Sequence, residues 1–202
     1  LLVNDAGRML TAEVDGVPRL EAVVQAALHL AHSAVEHDDN IGLLVFADEI
    51  QQYVPPARGR RALRAVLDAL ASVEGKLVEP NYPAAFTFLA MRNRKRALTV
   101  VFTDVIDRTA SEALVAQAGT LRPRHLPLAV TLRDPSLDRL ATIRPSTVHH
   151  AYERPAPQER LMARETALPD IRDRGALVRN SRPKGTSDPL SRADRPSERA
   201  RD

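Results

Sequence analysis

The chain has 202 residues, of which 44% are hydrophobic and only 3% aromatic, with no Trp and no Cys. That length suits one α/β domain with a tail and a core of Leu, Val and Ala, and the lack of Cys removes disulfides, thiolate zinc sites and cysteine nucleophiles. The pI of 9.7 suggests nucleic acid, yet residues 179–202 hold seven of the 29 basic and four of the 26 acidic side chains, leaving 22 of each sign in 1–178. A neutral body without aromatic stacking platforms is not expected to bind nucleic acid.

In chain order, LLVN (1–4) reads as the end of a buried strand and delivers Asp5 to the loop beyond it. A helix follows over 19–37, with Leu20, Val24, Ala27, Leu28, Ala31 and Val35 at helical spacing. IGLLVFA (41–47) is a continuous apolar strand, as expected where helices cover both sheet faces. EIQQYVP (49–55) follows after one residue as a hairpinned strand, which Pro55 and Pro56 confine to an edge.

GRRALRAVLDALASV (59–73) carries Leu63, Val66, Leu67 and Leu70 on one helical face. A further helix is predicted over 83–95, with Pro83 tolerated in its first turn. ALTVVFTD (97–104) is a second buried strand ending in Asp, and Thr109 with Glu112 has the spacing of a capping box. Strands are predicted at 126–131 and 175–178, whereas Pro155 and Pro157 break any helix across 144–170. Residues 179–202 hold one large apolar residue, Leu190, and are expected to be a disordered Arg/Ser/Pro-rich tail.

Strands alternating with helices imply an α/β domain over 1–178: a doubly wound, mostly parallel sheet with helices on both faces and one antiparallel edge strand. Ligands bind such sheets beyond the carboxyl ends of the strands, where Asp5 and Asp104 fall. Four chemistries drop out here. A dehalogenase-type phosphotransferase needs a second Asp at position 7, which is Gly. The dinucleotide fingerprint, the phosphate-binding P-loop and the Gly-x-Ser-x-Gly elbow are all absent.

The segments DAGRML, HDDNIGLLVFADEIQQYVPPARGRRAL, LVEPNYPAAF, RKRALTVVFTDVID and LPLAVTLRDPSL resemble the von Willebrand factor type A domain. More narrowly, they resemble the bacterial family called domain of unknown function 58. The run from Asp38 to Leu63 carries most of the likeness. The resemblance covers 1–178 and implies the von Willebrand A / Rossmann-like version of the doubly wound sheet.

It also implies a metal-ion-dependent adhesion site, in which Mg²⁺ takes about six oxygens from Asp-x-Ser-x-Ser, a Thr and a second Asp. Matched position by position, Asp5 and Asp104 are the two carboxylates, and Gly7 and Met9 replace the two Ser. Asn81 falls near the Thr. This shell is degenerate, so Mg²⁺ is expected to bind weakly at most and no other cofactor is expected. Arg8 suggests a substitute, its guanidinium sitting between Asp5 and Asp104 in place of the cation; the alternative is that it points into solvent.

Asp107 either adds charge to that crevice or caps the helix that Thr109 begins. Arg58, Arg60, Arg61 and Arg64 crowd a helix start, where the dipole disfavours cations, and form a candidate surface for an acidic partner. His29 and His32 share a helix face and read as helix-surface or packing residues rather than metal ligands.

The resemblance implies a non-enzymatic protein-interaction module, an adaptor for a MoxR-type AAA+ ATPase. The alternative is a metal-dependent hydrolase using Asp5, Asp104 and Asp107. Relatives carry membrane helices before this domain. The chain does not begin with Met and opens within a strand, so it is expected to be an N-terminally truncated piece with no membrane contact of its own. The full-length protein is then membrane-anchored, with this domain on the cytoplasmic face. Relatives close with a helix where the basic tail begins near Arg179, and a frameshift there is one explanation of the tail.

Overall fold

The computed structural model describes residues 1–14, 17–103, 121, 125–132 and 177–181. Strand β1 (Leu2–Asp5) leads into a 3-10 turn (Arg8–Leu10), a two-residue hairpin β2 (Glu13–Val14) and β3 (Val17–Pro18), and helix α1 (Arg19–Glu36). Then come β4 (Ile41–Phe46), β5 (Ile50–Ala57), α2 (Gly59–Ala71), α3 (Tyr82–Arg92), β6 (Ala97–Thr103), β7 (His125–Leu132) and β8 (Leu177–Ser181).

Six strands form one sheet in the order β5-β4-β1-β6-β7-β8. Every pairing is parallel except β4 with β5. The predicted antiparallel edge is therefore real, and the prolines sit on it. Opposite them Gly42 leaves room that a Cβ would take, at 2.8 Å from Pro56 N and Val54 O, beside a register shift in the pairing.

Period-two alternation divides the core between the two faces. On one face Val3, Leu44, Phe46 and Val101 meet Ala85, Phe86 and Leu89 of α3, together with the helical residue Leu121. On the other, Leu2, Leu43, Val45, Val100 and Phe102 meet Val23, Ala27 and Ala31 of α1 and Val66 and Leu70 of α2. Each fully buried Leu, Val or Phe contributes roughly 1.5–3 kcal/mol. No helix among the described residues is long and apolar enough to cross a membrane.

Three expectations are corrected in detail. The buried stripe of α2 is Ala62, Val66, Ala69 and Leu70, while Leu67 is exposed and Leu63 only half-buried. Val66 and Leu70 are buried as expected, and Ala62 and Ala69 complete the inner face in place of Leu63 and Leu67. In α1 the deepest residues are Val23, Ala27 and Ala31, with Leu20, Val24, Leu28 and Val35 flanking them. Strand β8 passes the expected boundary at 178, since Arg179, Asn180 and Ser181 pair with Val130, Thr131 and Leu132. The rest of the predicted tail, the helix at Thr109 and the broken segment at 144–170 lie outside the described residues.

Helix α1 ends in a Schellman motif. The Asp39 N–H donates to Ala34 O at 2.8 Å and the Asp38 N–H to Val35 O at 3.1 Å. Asp38 takes the left-handed position with φ 57, a place usually filled by glycine.

Candidate functional site

The carboxyl ends of β1, β4 and β6 bring three chain segments together. Asp5 ends β1 and follows the alternation of Val3 onto the α3 face, where it is 2% exposed. Its Oδ1 accepts the Gly7 N–H at 2.7 Å. Its Oδ2 accepts the Tyr82 hydroxyl at 2.8 Å and the Thr103 hydroxyl at 3.0 Å. The two hydroxyl oxygens are themselves 2.6 Å apart.

This makes a closed triangle of oxygens from β1, the first turn of α3 and the end of β6. It has three edges and two hydroxyl protons. The third edge carries a hydrogen bond only when Asp5 is itself protonated. Burial pushes the Asp5 carboxyl above its ordinary 3.8, against the opposing pull of Gly7, Tyr82 and Thr103, and Glu79 adds to the rise. Burial, followed by the charge of Asp5, holds the Tyr82 phenol well above its ordinary value, so it donates as a neutral hydroxyl. Phe46 stacks edge-on against the Tyr82 ring at 5.4 Å and Phe86 lies 6.1 Å away, fixing where the hydroxyl points.

Backbone hydrogen bonds join the loops above this triangle. The Lys76 N–H donates to Ala6 O at 2.8 Å, the Arg8 N–H to Val78 O at 2.9 Å and the Asn81 N–H to Ala47 O at 2.8 Å. A Cβ on Gly7 would lie 2.9 Å from Pro80 Cδ, 3.0 Å from Val78 O and 3.1 Å from Asp5 Oδ1. Gly7 has φ −76 and ψ −178, extended backbone open to any residue, so what requires glycine is space.

Of the residues matched to the adhesion site, Asp5 is buried in the triangle. Gly7 lies beneath the 78–80 loop, and Met9 is half-buried in the 3-10 turn. Asn81 is the N-cap of α3, its Oδ1 accepting the Ala84 N–H at 3.1 Å. Arg8 forms an ion pair with Glu79, both side chains well exposed. Asp104 and Asp107 lie outside the described residues, so the expected Asp5–Arg8–Asp104 cluster does too. Among the described residues the contacts to Oδ2 come from Tyr82 and Thr103, which the sequence pattern does not flag. Tyr82 stood in plain view between Asn81 and Pro83, but nothing local aims its hydroxyl at a residue 77 positions away.

As donors toward an octahedral Mg²⁺, the described residues fit poorly. Both Asp5 oxygens are engaged, Gly7 and Met9 bring no side-chain oxygen, and the Asn81 amide oxygen caps a helix. Among the described residues no group of three or more His, Asp or Glu could hold a metal ion.

Arg58, Arg60, Arg61 and Arg64 are all exposed at the start of α2, whose first turn carries no acidic residue. Arg58 reaches Asp38 at 3.4 Å. Gly59 holds φ 78 with no atom within 4 Å of a Cβ. His29 and His32 are exposed on α1, and His32 faces Glu36 at 3.6 Å.

A doubly wound sheet with one antiparallel edge and an Asp at the end of its first strand is the architecture of von Willebrand A-type domains. The solved structures agree on the fold. The chain is similar to the SpRpn10 VWA domain, with a TM-score of 0.53 at 12% identity, over 92% of this chain and 88% of that one. It is also similar to the conserved hypothetical protein BatB from Bacteroides thetaiotaomicron, with a TM-score of 0.56 at 16% identity, over 90% and 87%. Residues 1–156 match the model of the family described as protein of unknown function DUF58, and the chain belongs to that family. No curated protein matches it in sequence.

Proposed function

We propose that this chain is a non-enzymatic protein-interaction module whose adhesion-type site is degenerate, and that its contact surface is the loop rim at the carboxyl end of the sheet. One observation carries this reading: the carboxylate delivered by β1 is buried and saturated, while the loops above it form a braced, exposed rim. Leu77 projects from that rim at 83% exposure, between residues 76 and 78, which the backbone pins to Ala6 and Arg8. The pairs Arg8–Glu79 and Lys76–Asp48 flank it. An exposed Leu held rigid and ringed by charge suits a protein contact, because little ordering entropy remains to be lost.

Von Willebrand A-type domains generally bind other proteins, and the family resemblance suggests a MoxR-type AAA+ ATPase as the partner, met on the cytoplasmic face of a membrane. The basic cluster from Arg58 to Arg64 is a second surface for acidic segments of that partner. Hydrolysis by Asp5, Asp104 and Asp107 is disfavoured, because Asp5 is buried and its oxygens already accept from Gly7, Tyr82 and Thr103.

The test is binding of the purified chain to the purified MoxR-type ATPase of the same organism. Leu77→Asp is expected to weaken binding at least about tenfold, and Arg60→Glu with Arg61→Glu to weaken it in a salt-dependent way. Absence of binding by the unaltered chain would refute the adaptor reading, and unchanged binding by Leu77→Asp would move the contact elsewhere.

A further inference from the structure

We infer that the Tyr82 hydroxyl, with Thr103, has taken over the bridging role of the adhesion-site cation, so that the loops of this face are locked shut without any divalent metal. The inference deepens the reading of the site as degenerate and rests on it. A bound cation in this fold links the first-strand carboxylate to groups on two other loops. Here the same carboxylate is linked to α3 by Tyr82 at 2.8 Å and to β6 by Thr103 at 3.0 Å, and the two hydroxyls lie 2.6 Å from each other.

The surroundings are consistent with a permanent lock. The Tyr82 ring packs against Phe46 and Phe86, so its hydroxyl cannot swing away without emptying core volume. The Asn81 cap fixes the first turn of α3, which carries Tyr82. The Gly7 N–H closes the other oxygen of Asp5. The 78–80 loop fills the space a Ser side chain would need at position 7. Restoring a metal would mean breaking several of these contacts together. The consequence for recognition is that a partner meets a preformed rim, and neither magnesium nor chelator changes its affinity.

The experiment is amide hydrogen exchange on the purified chain with excess Mg²⁺, excess Mn²⁺ or chelator, for the unaltered protein, Tyr82→Phe and Thr103→Val. In the unaltered protein the Gly7, Arg8 and Asn81 amides should be protected equally in all three conditions. In Tyr82→Phe their exchange should speed up by about tenfold, the loss of one buried hydrogen bond, with no recovery in Mg²⁺. Val45 and Val101 in the strand cores should change less, which separates a loop lock from general destabilisation.

Thr103→Val, which removes the hydroxyl but keeps its volume, should give a smaller change at the same amides and serves if Tyr82→Phe fails to fold. Protection in the unaltered protein that rises with Mg²⁺ and disappears in Asp5→Asn would overturn the degenerate-site reading itself. Metal-independent protection left intact in both hydroxyl variants would overturn the lock alone.

Discussion

The Tyr82 hydroxyl donates to Asp5 Oδ2 at 2.8 Å across 77 positions of sequence, and Asp5 is only 2% exposed. That contact joins the first strand to the first turn of α3, and Thr103 joins both to the end of β6. The carboxylate that identifies the site by sequence is thereby used for internal bracing.

Asp5 should make the chain less stable as pH rises. Its folded carboxyl holds its proton above the ordinary 3.8, so between that value and the raised one the native state binds more protons than the unfolded state. This contribution is fully present below 3.8 and is lost as pH climbs through the raised value. Asp5→Asn, which keeps an acceptor for Gly7 and can donate to the hydroxyls, should remove that slope. Denaturant melts of both proteins from pH 4 to 8 measure the difference.

Asp5→Ala should behave differently, leaving the Gly7 N–H and one of the two buried hydroxyls without an acceptor, since the other can still donate across the 2.6 Å Tyr82–Thr103 contact. A loss of about 3 kcal/mol or more is expected in urea unfolding at neutral pH. A loss below 1 kcal/mol, roughly the net worth of one ordinary hydrogen bond, would mean that the triangle does not brace the loops.

Asn4 is fully buried on the central strand, and neither its amide oxygen nor its nitrogen has a hydrogen-bond partner among the described residues. Burying an unpartnered amide costs about 1–3 kcal/mol. Asn4→Leu, which keeps the branching and heavy-atom count of the side chain and shares a face with Leu2, should raise the denaturation midpoint, less whatever the bulk of its two methyl groups costs in packing.

Gly7→Ser restores the hydroxyl of the adhesion motif but places its Cβ within 3.0 Å of Pro80 Cδ and Val78 O. One of these atoms is backbone and tied to the Arg8 N–H, so the loop must shift. About 1–3 kcal/mol of destabilisation is expected, read by thermal melting, with no stabilisation on adding Mg²⁺.

Asp38→Gly should stabilise the chain by about 0.5–1 kcal/mol, since the left-handed position after α1 costs a non-glycine residue that much. The ion pair it gives up, with Arg58 at 3.4 Å, is highly exposed and offsets little. Thermal melts of the two proteins at low and moderate salt separate the backbone gain from the lost pair.

The strands were legible because burial on both faces writes itself as continuous apolar runs, as in Ile41–Phe46 and Ala97–Thr103. Prolines 55 and 56 marked the edge because a central strand cannot spare their N–H groups. The two-residue strands β2 and β3 were invisible, since no periodicity fits in two residues. On α2 the pattern marks Val66 and Leu70 correctly but also Leu67, because hydrophobic size alone signals burial, and it passes over the buried Ala62 and Ala69.

The sequence by itself determined the alternation of strands and helices, the antiparallel edge and the arrival of Asp5 at the ligand end of the sheet. These follow from local periodicity and from residues whose backbone needs are fixed. Only the tertiary structure decided what Asp5 does there. Its partners come from 77 and 98 positions away, and strand order and register, which no local pattern encodes, bring them within hydrogen-bond distance. Arg8 is the charged neighbour in sequence, and the ion pair it makes among the described residues is with Glu79. The buried carboxyl is met by two neutral hydroxyls, which lose far less hydration there than a charged group would.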